Sequence, residues 1–84
     1  MRIDKFLKNS RIIKRRTVAK EAADSGRITI NGKVAKAGSE VQPGDRVHIA
    51  FGTNPFDFEV LSVPEVVRKE DAQSMYRVLE GQNE

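Results

Sequence analysis

The sequence contains no cysteine and no tryptophan, and it has a single histidine. Without cysteine, disulfides and thiolate metal sites are excluded, and the chain suits a reducing cytosolic compartment. No apolar run approaches the roughly 18 to 20 residues that span a bilayer. The opening Met1-Arg2-Ile3-Asp4-Lys5 leads into no signal-peptide core, so a cytoplasmic location is expected. Catalytic signatures are equally sparse: neither GxxxxGK[ST] nor GxGxxG occurs, and no residues have metal-ligand spacing. His48 alternates with Val47 and Ile49, which suits a surface or partly buried strand position better than a general base. Asp57 and Glu59 share one strand face without a partner motif, as residues of an acidic solvent face do. A non-enzymatic protein without metal or cofactor is expected.

What the chain has in abundance is charge, unevenly placed along 84 residues, a length that fits one compact domain. Residues 1–36 hold 11 of the 15 Lys and Arg against 3 of the 12 Asp and Glu, a net +8. Residues 37–84 hold 4 bases and 9 acids, a net −5, so the overall +3 conceals a strong asymmetry. A basic half beside an acidic half is the pattern of a surface that faces a polyanion.

The apolar residues Ile3, Phe6 and Leu7 recur at helical spacing and predict a short first helix. Asn9 and Ser10 either end it or cap the next element. A second helix is expected from Arg15 to Ser25, with Val18, Ala19, Ala22 and Ala23 forming a narrow packing face and Gly26 as its C-terminal cap. The period then changes to two. Ile28-Thr29-Ile30, the Asn31-Gly32 dipeptide and Lys33-Val34-Ala35 predict a hairpin with a type I′ turn. Pro43-Gly44 predicts a type II turn into a strand over Arg46–Phe51, and Gly52 to Pro55 another turn. Phe56, Phe58 and Val60 then alternate with Asp57 and Glu59. Finally, Ala72, Met75, Tyr76 and Leu79 carry the stripe of an amphipathic helix over Lys69–Glu80. These elements describe an α+β fold: two N-terminal helices packed on a small, mostly antiparallel sheet, with a C-terminal helix. Residues 1–63 form the main domain, with a core motif over 1–51, and 64–84 a helical extension packed on it.

The bases have a common geometry. Arg2, Lys5 and Lys8 lie on the first helix, Arg11 and Lys14 in the connection, and Arg15, Arg16 and Lys20 at the start of the second. If the helices pack antiparallel or obliquely, these eight converge into a phosphate-binding face, strengthened by the free N–H groups at the second helix's N-terminus. Tyr76 and the four phenylalanines fall on apolar stripes or strand faces, so recognition of RNA shape and backbone is expected rather than stacking on single strands.

The order Met1-Arg2-Ile3-Asp4-Lys5-Phe6-Leu7, Arg11, Lys14-Arg15-Arg16-Thr17-Val18-Ala19-Lys20, Gly26-Arg27-Ile28-Thr29-Ile30-Asn31-Gly32 and Val41-Gln42-Pro43-Gly44-Asp45 resembles the RNA-binding domain named after the fourth protein of the small ribosomal subunit. That domain is also called the alpha-L RNA-binding motif. The whole chain is similar to the stand-alone RqcP (YabO) family of Gram-positive bacteria. The resemblance implies a quality-control factor that binds rRNA and peptidyl-tRNA on obstructed large ribosomal subunits and supports tailing of the nascent chain by an RqcH-type partner. It also implies that Arg2, Arg16 and the neighbouring bases contact that RNA. Asp4 then orients the arginines through ion pairs or, alternatively, caps the first helix. Many members carry a serine where this chain has Arg15, which adds charge here and removes a capping side chain. The alternative within RNA binding is a recycling factor for blocked large subunits like those of the related heat-shock protein fifteen group, whose members have a longer, basic C-terminal region. Pseudouridine synthases and tyrosyl-tRNA synthetases carry the same module beside catalytic domains of their own. A protein-interaction adaptor using the acidic half is the reading from another class. A monomer is expected.

Overall fold

The computed structural model describes residues 1–51, 54–64 and 66–79. Helix α1 (Ile3–Asn9) forms because Ile3, Phe6 and Leu7 recur at the helical period, and all three are fully buried. Asp4 in its first turn and Lys8 in its last complement the helix dipole. The Ser10 N–H donates to the Phe6 carbonyl at 2.9 Å and the Arg11 N–H to that of Lys8 at 3.0 Å, ending the helix. Arg11 itself takes a φ of 64°. That is the left-handed cap conformation which favours glycine and costs other residues about 1 kcal/mol.

Helix α2 (Arg16–Asp24) buries Ala19 and Ala23 completely and Ala22 in part, whereas Val18, expected on the same face, remains 46% exposed. The short alanine side chains let α2 approach α1 closely. Gly26 has a φ of 82°, its N–H reaches the Ala23 carbonyl at 3.1 Å, and the Arg27 N–H reaches that of Ala22 at 3.0 Å. These two bonds form a Schellman cap, so Gly26 ends the helix as its sequence position indicates.

Five strands follow: β1 (Ile28–Ile30), β2 (Lys33–Val34), β3 (Arg46–Phe51), β4 (Asn54–Val60) and β5 (Tyr76–Val78). They form one antiparallel sheet in the order β2-β1-β3-β4-β5. Asn31 (φ 53°) and Gly32 (φ 86°) make the β1–β2 turn, both in the left-handed region that a type I′ turn requires. The Asn31 amide also fastens this hairpin to the Pro43-Gly44 turn: its Nδ2 donates to Asp45 Oδ1 at 3.0 Å and its Oδ1 accepts the Arg46 N–H at 2.9 Å. Of the turn expected from Gly52 to Pro55, residues 52 and 53 lie outside the described residues, and Pro55 already pairs with Ala50 within β4.

One face of the sheet is apolar because the alternation puts Val47, Ile49, Phe58 and Val60 on the same side, all buried against the helical layer. At its centre Phe6 of α1 stacks on Phe58 with ring centroids 5.8 Å apart. The expected α+β arrangement, two N-terminal helices on a small antiparallel sheet, is what forms.

The C-terminal segment differs from its expected helix over 69–80. A 3-10 helix runs over Lys69–Met75, burying Ala72 and Met75, and Tyr76–Val78 then becomes an edge strand. The cause is tertiary. β4 offers an unpaired edge, and the segment satisfies it through pairs Val60 with Tyr76, Glu59 with Arg77 and Phe58 with Val78. The Leu61 N–H donates to the Met75 carbonyl at 2.7 Å where the strand begins. Tyr76 still packs inward, its ring meeting Phe58 edge-on at 5.6 Å. Glu80 lies outside the described residues.

Candidate nucleic-acid interface

The start of the chain is held by backbone bonds to the loop before β3. The Ile3 N–H donates to the Ser39 carbonyl at 2.7 Å, the Asp4 N–H to that of Ala37 at 3.3 Å, and the Val41 N–H to that of Met1 at 2.9 Å. Arg2 forms an isolated bridge with Glu40, and its guanidinium lies over Gly38, about 4.0 Å from where a Cβ would stand. The first turn of α1 is thereby fixed against the sheet layer, and the residues on it have defined positions.

Asp4 occupies the seam between the two helices with its side chain only 3% exposed. A carboxylate this buried has to be satisfied, and both its oxygens are. Oδ1 accepts the Lys5 N–H at 2.7 Å, which takes one of the orphan donors of the first helical turn. Oδ2 accepts from Arg2 Nη2 at 3.2 Å and from Arg16 Nε at 3.5 Å. Asp4 is not the N-cap residue; Arg2 holds that position without a side-chain cap bond. The carboxylate thus both ties down a first-turn amide and draws two arginines from different helices together.

Both arginine side chains remain 49% exposed. Each guanidinium carries five N–H donors in a planar fork, and only one nitrogen of each is engaged by Asp4. The remaining donors face no other hydrogen-bonding group among the described residues. Arg16 is held by its inner Nε and Arg2 by a terminal Nη2, so each keeps further donors for an oxyanion, and phosphate is the anion that a guanidinium fork matches.

The other expected bases are distributed more widely. Arg15 is the N-cap of α2 and makes no side-chain cap bond, which leaves the first-turn N–H groups of that helix without a side-chain acceptor. Lys14 and Arg15 are exposed, and Lys5 is half-buried. Lys8 and Arg11 line a small polar cleft with Asn9, Val67, Arg68 and Lys69. Lys20, one turn after Arg16 on α2, lines a shallow hollow with Thr17, Glu21, Asp24 and Ser25. Arg68 and Lys69 escape a reading of the sequence because they lie just before Glu70 and Asp71 in an acidic stretch. The one signal was that the two bases are adjacent.

The His48 Nδ1–H donates to Asp57 Oδ1 across β3 and β4, which makes it a strand-face residue with a carboxylate partner. Arg77 Nη2 meets Glu59 Oε1 at 2.7 Å across β4 and β5. Among the described residues, no cluster of His, Cys, Asp and Glu could hold a metal ion, and no helix is long and apolar enough to cross a membrane.

Two helices on an antiparallel sheet, with bases gathered on the helical side, define the class: the family model of the S4 domain matches residues 1–47. An RQC P-site tRNA stabilizing factor of Halalkalibacterium halodurans is 56% identical over 78 residues, covering 93% of this chain and 89% of that protein. One from Bacillus subtilis is 53% identical over 79 residues, covering 94% and 92%. This chain belongs to the family of the RQC P-site tRNA stabilizing factors. Among solved structures, the trimeric heat shock protein 15 of Vibrio cholerae superposes with a TM-score of 0.84 at 26% identity, over 94% of this chain and 81% of that one.

Proposed function

We propose that this protein is a non-enzymatic, monomeric RNA-binding factor that holds rRNA and peptidyl-tRNA on obstructed large ribosomal subunits. There it supports C-terminal tailing of the stalled chain by an RqcH-type partner. Residues 1–63 act as the RNA-binding domain and residues 64–84 as an extension of the same domain. The contact surface consists of Arg2, Lys5, Lys8, Arg11, Lys14, Arg15, Arg16 and Lys20, with Asp4 as the orienting residue.

The observation that carries this reading is the Arg2–Asp4–Arg16 arrangement: two half-exposed guanidiniums held side by side by one buried carboxylate. A surface built only for solubility has no need of a buried acid to fix its arginines. The names of the relatives add the tRNA in the ribosomal P site as the expected ligand.

Co-sedimentation with large subunits over a salt series tests the reading. The parent chain should bind with an affinity that falls steeply as salt rises, on the order of 0.7 to 0.9 logarithmic units per phosphate contact. Replacing Arg2 and Arg16 together by Glu should weaken binding by about 100-fold or more, because two attractive contacts become repulsive. The Glu variant also leaves the buried Asp4 carboxylate without its cationic partners, so circular dichroism must show the parent fold. The Arg2→Gln and Arg16→Gln double variant, whose amides can still donate to Asp4, should weaken binding in the same direction. A double variant that still pellets like the parent would remove these residues from the site. Subunits carrying peptidyl-tRNA should be bound more tightly than empty ones.

A further inference from the structure

The basic cleft between the end of α1 and the start of the 3-10 helix is not explained by the S4 match, which stops at residue 47. It has a volume of about 110 Å³ and is lined by Lys8, Asn9, Arg11, Val67, Arg68 and Lys69. That is several times the roughly 30 Å³ share of one water, enough for a phosphate group. Four of its six lining residues are cations and none is an acid.

Among the described residues the four cations also lack counter-charges. Arg2 and Arg16 have Asp4, and Arg77 has Glu59, but Lys8, Arg11, Arg68 and Lys69 form no ion pair among the described residues. Glu70 and Asp71 come directly after them in the chain and are exposed, yet they neither line the cleft nor pair with these bases. Like charges gathered without a counter-ion repel one another and weaken the compact state, so their assembly from two distant segments points to an external anion. Arg11 adds a further mark, since it holds a left-handed φ of 64° in a position where glycine would be unstrained.

We propose that this cleft is a second phosphate-binding site, in which Arg68 and Lys69 join Lys8 and Arg11 on the sugar-phosphate backbone of RNA. The inference rests on the RNA-binding reading above and extends it, because Lys8 and Arg11 belong to both surfaces. The C-terminal segment thereby becomes part of the RNA interface: β5 pairing with β4 anchors the segment, and its two bases close the open end of the helical face. Backbone contacts of this kind position a protein on RNA without reading sequence.

The test is a binding titration of the full-length chain against two probes, purified large ribosomal subunits and protein-free large-subunit rRNA, each across a salt series. Replacing Arg68 and Lys69 together by Gln should weaken binding to both probes by about 10-fold and lower the salt slope by about 1 to 2. Replacing Glu70 by Gln should act in the opposite direction, raising affinity by about 2-fold as a neighbouring repulsion is removed. All three residues are exposed, so circular dichroism should show the parent fold.

If the Arg68 and Lys69 double variant keeps the parent affinity and slope while the Arg2 and Arg16 variant loses binding, the cleft is not an RNA site and the first reading stands. If the loss appears on intact subunits but not on protein-free rRNA, the cleft meets an acidic ribosomal protein and the RNA assignment is overturned. If the parent binds neither probe, both readings fall together.

Discussion

The helical layer and the outer part of the sheet handle charge in opposite ways. On β3, β4 and β5, His48 is matched with Asp57 and Arg77 with Glu59, and Asp45 just before β3 meets the Asn31 amide, while Arg46 of β3 and Lys33 of β2 form no ion pair among the described residues. On the helices, one buried acid serves two arginines, and Lys8, Lys14 and Arg15 have no acidic partner among the described residues. Both layers share one core, so this difference is not imposed by packing. The acids of β4 are taken up by cross-strand pairing, whereas most of the bases on the helices are left for something outside the chain. A single net charge of +3 hides that division.

The most severe way to break the comparison is to remove the core that joins the layers. Phe58 is fully buried and its ring meets those of Phe6, Phe56 and Tyr76 at 5.6 to 5.8 Å. Phe58→Ala should cost about 3 to 5 kcal/mol. A chain of this length has a total stability of roughly 4 to 13 kcal/mol, so the loss is a large fraction of it. Chemical denaturation should show one transition moved to lower denaturant, with helices and sheet melting together. Separate transitions for the two would show that the layers are independent.

Asp4→Asn sharpens the contrast by setting two effects against each other. Removing a negative charge from the basic surface should, on charge alone, strengthen RNA binding. If instead Asp4 holds Arg2 and Arg16 in place, affinity falls despite the added net positive charge. We expect the fall, together with a loss of stability of about 1 to 2 kcal/mol from the charge-assisted hydrogen bonds. Asn keeps one acceptor for the Lys5 N–H, so the helix start should persist. Tighter binding by this variant would end the orienting role.

Much of the fold was legible because short-range chemistry sets it. Asn31-Gly32 has room for only one tight hairpin, Gly26 closes α2 where the alanine face ends, and the alternation of Phe56, Phe58 and Val60 defines the face of β4. The C-terminal helix misled because Ala72, Met75, Tyr76 and Leu79 satisfy the helical period, while the decisive partner, the free edge of β4, is remote in sequence. The left-handed Arg11 gave no signal, since no glycine or asparagine marks it. The Asp4 pair with Arg2 is local and could be anticipated; the meeting with Arg16 depends on how α1 and α2 pack. Arg68 and Lys69 were invisible as site residues because their cleft is shared with Lys8 and Arg11, some sixty positions away.

The smallest expected effect is on the sheet side. The Arg77 side chain is 66% exposed and its partner Glu59 25%, so water and salt screen most of their attraction. Arg77→Gln should therefore cost only about 0.2 to 1 kcal/mol, the range of exposed cross-strand pairs. RNA affinity and its salt slope should stay at the parent values, although one positive charge has been lost, as it has from each single Gln variant at Arg68 or Lys69. This matched loss of charge separates a local contact from a general attraction to the whole basic protein. Should Arg77→Gln weaken binding as much as Arg68→Gln, net charge alone would govern the interaction. The division between a self-paired sheet and an outward-facing helical surface would then have no functional meaning.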